Sequence, residues 1–501
     1  MRVVTAGEMK EIDRRAIAEY NIPGIILMEH AAQAVTGVIK ERFAPVRTAV
    51  FCGKGNNGGD GWAIARLLFL AGWEAVVFHP GPETKLPPDA AVNREICRRL
   101  GIKDFSWPEV MEKPGVFQEY GLIIDALLGT GFKGTVAGDY ARLITEINRS
   151  GKPVAAVDIP SGVQADTGRI SGPAVRARVT VTFGLPKVGL LVYPGRQAAG
   201  EVVTCDIGLP PASAGEPVSF YTMDRKEAAT LFPPRGPETH KGDCGRLLVV
   251  GNSPGLTGAP VLAGLGALRC GTGLVTLGLR EGMILPEKPP ELMTTGWSNL
   301  RWEDYGAVVM GPGLSRAADG KALLRELLAA EKTKKVLDAD ALNLLAEEDR
   351  WWEKARGVII LTPHPGEMAR LCNLHPEQVQ ADRINLVREK AKEWGVTLVL
   401  KGAATLVGQA GSPVYINTTG NSGLATGGTG DVLAGVIGGL LAQGLTAEKA
   451  AVLGVYIHGA AGDLAAEDYG SAGMIAGDLL SKLALVIKRG TGSDEIQRAI
   501  N

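Results

Sequence analysis

Again and again this 501-residue chain runs an apolar stretch of strand length into a Gly-rich polar loop, and an apolar helix candidate follows. That order points to a parallel sheet, because parallel neighbours need a crossover and a helix is the usual one. The fullest case is TAVFCG (48–53), the loop GKGNNGGDG, the helix candidate WAIARLLFLAG and the next strand EAVVFHP, together one βαβ unit. LIIDALLGTGFKG (122–134) repeats the move and carries Asp125 at its strand end, and KPVAAVDIPSG (152–162) runs into Asp158, Pro160 and Ser161. VTVTFGLPKVGLLVYPG (179–195) and EVVTCDIGLP (201–210) are expected as closing strands. Ahead of the sheet, Thr5 and Glu8 form a capping box, and Met9, Ile12, Ala16 and Ile17 recur at helical spacing. Pro23-Gly24 ends that helix, and a second is expected from about Leu27 to Arg42.

A boundary by composition follows at PPASAGEP (210–217), with a second Pro-rich patch at 232–243. Two α/β domains are expected, 1–215 and 225–501. The second opens on RLLVVGNSPG and again ends strands in polar turns: Gly311-Pro312-Gly313, Asp338 and Asp340, His364 between two prolines with Glu367 opening the next helix, and Lys401-Gly402. The last loop, NTTGNSGLATGGTGD (417–431), runs into the helix candidate VLAGVIGGLLAQGL. Glycines admit positive φ and leave nothing in the way of an approaching group. The amides of Gly428, Thr429 and Gly430 are expected at a helix start, where unpaired donors and the dipole favour an anion. Asp431 is a poor holder of phosphate there. It is well placed to take the proton of a hydroxyl attacking one, or to hold that hydroxyl.

Other chemistries are excluded or weakened. The formal charge of −1, with no long run of one sign, argues against nucleic acid or an anionic membrane surface as partner. Six scattered cysteines without C-x-x-C read as reduced thiols, and no signal peptide or membrane span is legible, so the cytoplasm is the expected compartment. G-x-x-x-x-G-K-[ST] and zinc spacings are absent. Gly53, Gly55 and Gly58 satisfy G-x-G-x-x-G, but the following strand ends in His79-Pro80 rather than in an acid, which weakens an NAD-dependent dehydrogenase. With three strand ends on one sheet edge, Asn57, Asp125 and Ser161 offer one carboxylate and neutral oxygens, a set suited to a monovalent cation. Desolvation at a strand end would raise the pKa of Asp158 toward neutrality, as a general acid/base requires.

The motifs also carry a resemblance. GGTGD resembles the anion hole of the ribokinase-like superfamily, and THKGDCGRLLVVGNS, LTGAP, GPGL, LDADALNLL, LTPHPGE and NSGLATGGTGDVLAG are similar to the NAD(P)H-hydrate dehydratases. GKGNNGGDG, DALLGTGFKG and VDIPSG resemble the NAD(P)H-hydrate epimerases. The resemblance spans nearly the whole chain and implies an α/β protein with an N-terminal Rossmann-like three-layer α/β/α domain and a C-terminal ribokinase-like domain. It implies epimerisation of hydrated NAD(P)H, the compounds NADHX and NADPHX, and dehydration of one epimer through phosphorylation by ADP, with Mg²⁺. In the epimerase half it implies substrate at Asn56, Asn57, Gly58, Gly59 and Asp60, at Gly129, Thr130, Gly131, Phe132, Lys133, Gly134 and Thr135, and at Asp158 as catalyst. Potassium would lie on Asn57, Asp125 and Ser161. In the dehydratase half it implies substrate at Ala259, Gly313, His364 and Asp431, and nucleotide at Lys401, Gly402, Ala403, Ala404, Thr405 and Gly430. A homo-oligomer is implied as well. The rival is a ribokinase-like small-molecule kinase with a stable phosphorylated product and a non-catalytic N-terminal ligand-binding module.

Overall fold

A computed structural model describes residues 1–490 except 82–83, 112–114, 212–214, 216–217 and 286–287; part of the composition boundary at 210–217 therefore lies outside the described residues. The chain divides into two compact units, Arg2–Phe220 and the part from Tyr221 onward.

The first unit holds a seven-stranded sheet. Its strands are β1 (Thr48–Cys52), β2 (Ala75–His79), β3 (Asp104–Ser106), β4 (Leu122–Ala126), β5 (Val154–Val157), β6 (Val179–Phe183) and β7 (Glu201–Cys205). They lie in the order 3-2-1-4-5-6-7, every neighbouring pair parallel. Alternate residues of each strand serve opposite faces. Val50, Val77 and Ile124 pack with helices α2 (Gly24–Arg42) and α3 (Asn56–Leu70), while Phe51, Val76 and Ile123 pack with α4 (Gly138–Arg149). Both faces are covered, which is why these strands read as unbroken apolar runs.

Two expectations need correcting here. NNGGDG is not loop: α3 starts at Asn56, so these residues form its first turns. The glycines serve close approach, since a Cβ on Gly58 would lie 2.0 Å from the Gly53 carbonyl oxygen and one on Gly61 2.7 Å from the Ala126 Cβ. Within 179–195 only Val179–Phe183 is strand; Val188–Leu191 is a short helix with Lys187 at its N-cap. The first helix, α1, spans Ala6–Tyr20 and keeps the Thr5/Glu8 capping box.

The second unit has strands β8 (Arg246–Gly251), β9 (Leu274–Leu279), β10 (Met293–Gly296), β11 (Ala307–Met310), β12 (Lys335–Leu337), β13 (Ile359–Leu361), β14 (Thr397–Leu400), β15 (Leu406–Gly408) and β16 (Val414–Ile416). They run in the order 16-15-14-13-12-11-8-9-10, with the β14–β15 and β15–β16 pairs antiparallel and every other neighbouring pair parallel. Helices α5 (Gly258–Arg269), α7 (Thr429–Ala442) and α8 (Ala447–Tyr469) cover one face. The backbones of α5 and α7 nearly touch: a Cβ on Gly435 would fall 1.8 Å from the Ala263 carbonyl oxygen. Between these two helices, in chain order, lies α6 (Pro365–Cys372). Among the described residues no helix is long and apolar enough to cross a membrane.

Candidate active sites

In an open parallel sheet, ligands settle beyond the strand C-termini where the strand order reverses. In the first unit that point lies between β1 and β4. Gly53 leaves β1 with its N–H on the Ala126 carbonyl at 2.9 Å, so tight against β4 that a Cβ would stand 1.8 Å from the Leu127 oxygen. Asp125, fully buried, accepts from Ser161 twice: Oγ at 2.6 Å to Oδ1 and N–H at 2.8 Å to Oδ2. Burial pushes its carboxyl up to about 6, against the Ser161 hydrogen bonds. Ser161 Oγ also accepts the Leu128 N–H at 2.9 Å. Asn57, buried in the first turn of α3, lies against the next residue of that loop, with its Cβ 3.1 Å from where a Cβ on Gly129 would be. Its Nδ2 finds no hydrogen-bond partner. Asn57, Asp125 and Ser161 thus meet at one corner, while most of loop 129–135 is exposed beyond it.

Asp158 is held differently. It leaves β5 at φ 64°, a left-handed conformation that its N–H bond to the Val181 carbonyl at 2.8 Å fixes in place. An apolar setting was expected for it, but a buried ammonium faces it instead. Lys187 Nζ donates to Asp158 Oδ1 at 2.5 Å, to Thr182 Oγ1 at 3.0 Å and to the Phe183 carbonyl at 3.0 Å, which commits all three N–H bonds of the ammonium. Two further acids share this field. Burial lifts Asp60 well above the usual carboxylate range, helped by repulsion from Asp158 and Asp13, and lifts Asp13 of α1 to about 6. Sequence reasoning missed Lys187 and Asp13. The signal for Asp13 was an acid on the same helical face as Met9, Ile12 and Ala16; for Lys187 it was a lysine inside an apolar run.

In the second unit the order reverses between β8 and β11. Gly251 ends β8 against Pro312, whose oxygen would lie 2.0 Å from a Cβ there. Gly313, at φ 64°, backs onto the Leu256 carbonyl, 2.3 Å from its virtual Cβ, which joins it to the loop leading to Ala259 in the first turn of α5. The 417–431 loop is pinned throughout. Asn417 Nδ2 donates to the Thr419 carbonyl at 2.9 Å, and Asp463 accepts from Gly420 N–H at 2.8 Å and Asn421 Nδ2 at 3.1 Å. Buried His458, its pKa pushed down to about 4 by burial, is neutral and places Nε2 2.9 Å from the Thr429 carbonyl, so that nitrogen carries the proton. Gly428 takes the N-cap place of α7 at φ 92°, and Asp431 sits in the first turn behind it. Asp431 is therefore no N-cap. Burial, then repulsion from Asp338, raises it to about 6, with Lys401 pulling the other way.

Lys401 brings the remaining strands in. Its Nζ donates to Asp338 Oδ1 at 2.7 Å, stands 3.8 Å from Glu367 Oε2, and lies 3.5 Å from where a Cβ on Gly430 would be. Glu367 is raised to about 7, chiefly by burial; its Oε2 accepts the His364 N–H at 2.8 Å, while His364 Nδ1 accepts from Gly366 N–H at 3.0 Å. The turn Lys401–Thr405 is clamped by Arg383, which donates to the carbonyls of Leu400 (3.1 Å), Lys401 (3.3 Å) and Ala404 (3.3 Å). Ala404 is held at φ 54° within it. His364, Gly430 and Asp431 therefore gather around the Lys401 ammonium, whereas Ala259 and Gly313 belong to the corner at the strand reversal. Arg383 was not anticipated from sequence. Among the described residues no cluster of three or more His, Cys, Asp or Glu side chains is arranged to hold a metal ion.

Two family models match the chain, one in each half. The family model described as YjeF-related protein N-terminus matches residues 24–189, and the model described as NAD(P)H-hydrate dehydratase matches 247–485. The bifunctional NAD(P)H-hydrate repair enzyme Nnr of Moorella thermoacetica is 42% identical over 513 residues, covering 97% of each chain. Its namesake from Thermofilum pendens is 36% identical, covering 97% of this chain and 96% of its own. That of Escherichia coli is also 36% identical, covering 96% and 93%. With both halves matched in order and relatives aligned almost end to end, the chain belongs to the family of bifunctional NAD(P)H-hydrate repair enzymes.

Proposed function

We propose that the chain restores hydrated NAD(P)H with one activity in each unit: the first interconverts the two epimers of the hydrate, and the second dehydrates the S epimer with ADP as phosphoryl donor. The carrying observation is the pairing of an anion-binding helix start with a carboxyl that titrates near neutrality. Gly430 and Asp431 open α7, and Asp431 is raised to about 6 by burial and the Asp338 charge. Hydroxide leaves poorly and phosphate leaves well. Asp431 takes the hydroxyl proton as the hydroxyl oxygen bonds to the terminal phosphorus, and the bridging P–O electron pair departs on the nucleoside monophosphate. The C–O bond then breaks with its electrons on phosphate, and loss of a proton from the adjacent ring carbon restores the double bond. The Gly430 amide and the Lys401 ammonium stabilise charge on the transferred group. His364, held neutral, and the Ala259/Gly313 corner take the hydrate; Lys401–Thr405 takes the nucleotide, whose phosphates a bound Mg²⁺ would screen.

In the first unit Asp158 works as the proton-transfer group over the hydrate, which rests on Asn56–Asp60 and Gly129–Thr135. The donors at Asn57, Asp125 and Ser161 suit potassium: one carboxylate, a hydroxyl and an amide, all capable of presenting oxygen. The unpartnered Asn57 Nδ2 supports this, since an amide nitrogen without an acceptor is better turned over, with its oxygen on a cation. Bound there, the ion would fix the strand-end loops on which Asp158 and Gly129 sit.

Stoichiometry tests the second activity. Purified chain with hydrate and ADP should release one inorganic phosphate and one AMP for each dihydronicotinamide ring restored. A phosphorylated product that accumulates without ring absorbance would instead make this unit a small-molecule kinase.

A further inference from the structure

Acidic side chains crowd the start of α7: Asp338 and Asp340 both repel Asp431 there, and Glu367 feels Asp338 too. Lys401 is the ammonium among them, and burial opposes its charge while Asp338 and Glu367 sustain it. The shorter of its two ion pairs, to Asp338 rather than to Glu367, fixes where that charge stands. Asp338 follows β12, its side chain only 2% exposed, and its Oδ1 takes the Lys401 ammonium at 2.7 Å. The same ammonium lies 3.5 Å from the virtual Cβ of Gly430, beside the first turn of α7. A lysine has a flexible four-carbon stem and a compact charge, so it stabilises a transition state only if something holds it in place. Nothing in its own turn does so: Arg383 clamps the backbone carbonyls of that turn, not the side chain.

We propose that Asp338 is a positioning residue for phosphoryl transfer, tying the Lys401 ammonium to the helix start where the transferred group develops charge. Asp338 makes and breaks no bond itself. The inference rests on the nucleotide reading of this unit. It also explains why an acid sits behind an anion site: Asp338 repels Asp431 and keeps it a stronger base, while its own charge is matched by Lys401.

The test is a mutant cycle in the full-length chain, with ADP and the S hydrate. Asp338→Asn should lower kcat by about 10²-fold, the loss typical of a misplaced charge-stabilising group, with the nucleotide KM changed by less than about threefold. It should also move the acidic limb of the pH–rate profile to lower pH, because the charge repelling Asp431 is gone while Lys401 and Asp340 remain. A purely structural role lowers the amount of active enzyme without moving that limb. In a Lys401→Met background, at a pH well above the acidic limb, Asp338→Asn should cost nothing further, since the pair acts as a unit in holding the charge. Epimer exchange by the same preparations reports the amount of folded chain. If Asp338→Asn alone does not fold, the comparison of Lys401→Met with the neutral double variant decides: equal kcat supports the proposal, and a further tenfold loss overturns it. A kcat within about threefold of wild type, or an unmoved acidic limb, also overturns it. Wild-type chain that restores no ring with nucleotide removes the functional reading as well, whereas an active wild type with an unaltered Asp338→Asn removes this inference alone.

Discussion

Asp125 and Asp158 stand at strand ends and Asp431 in the first turn of α7, and their surroundings give them three different characters. Asp125 accepts only neutral donors, Asp158 is paired to a buried ammonium, and Asp431 is raised to about 6 beside a helix start. Burial and Asp338 both disfavour the Asp431 carboxylate, so it is ionised above about 6 and protonated below. A base works only when ionised. Dehydration is therefore expected to fall as pH drops through about 6, and Asp431→Asn should lower kcat by about 10²–10⁴-fold at all pH values, measured as ring absorbance regained under saturating nucleotide. Much of this was legible in sequence, because TPHPGE and LDAD fix which side chains stand at strand ends and GGTGD fixes the start of α7. Lys187, Asp13 and Arg383 were not, because each works through a partner distant in the chain. Lys187 meets Asp158 across 29 residues and Arg383 meets Lys401 across 18, contacts that only the folded sheet creates.

At the level of elements, glycine is used for contact more than for flexibility. NNGGDG read as loop because glycine costs about 0.8–1.0 kcal/mol per residue in a helix relative to alanine. In α3 close packing offsets that cost, with Gly58 against the Gly53 backbone and Gly61 against Ala126. The same logic sets α7 on α5, where Gly435 meets the Ala263 backbone. Gly435→Ala should force these helices apart and destabilise the second unit by about 3 kcal/mol, the upper part of the usual overpacking range. Thermal inactivation followed separately for the two reactions checks this. Dehydration should be lost at a lower temperature than in wild type, and epimer exchange at an unchanged one. The parallel strands were readable as apolar runs because both their faces are buried. The short helix at Val188–Leu191 was not, because four apolar residues carry no period that separates helix from strand.

At the scale of the whole molecule, each of the two α/β units has a point where strand order reverses, between β1 and β4 and between β8 and β11, and its candidate site residues lie at or near that edge of the sheet. Composition carried none of this beyond the class of fold; the motifs supplied the sites and the sheet orders explain why those motifs converge. The central claim is that one chain repairs both epimers of the hydrate, and the most direct measurement follows both at once. Purified chain would be given an equal mixture of epimers, potassium and ADP, and each epimer followed chromatographically with the return of dihydronicotinamide absorbance. Wild type should consume the S epimer first and the R epimer afterwards, faster than spontaneous exchange. Asp158→Ala should consume the S epimer alike and leave the R epimer to decay at the spontaneous rate. An Asp158→Ala chain that clears the R epimer as fast as wild type would contradict the assignment of epimerisation to this site, and a wild type that restores neither epimer would contradict repair itself.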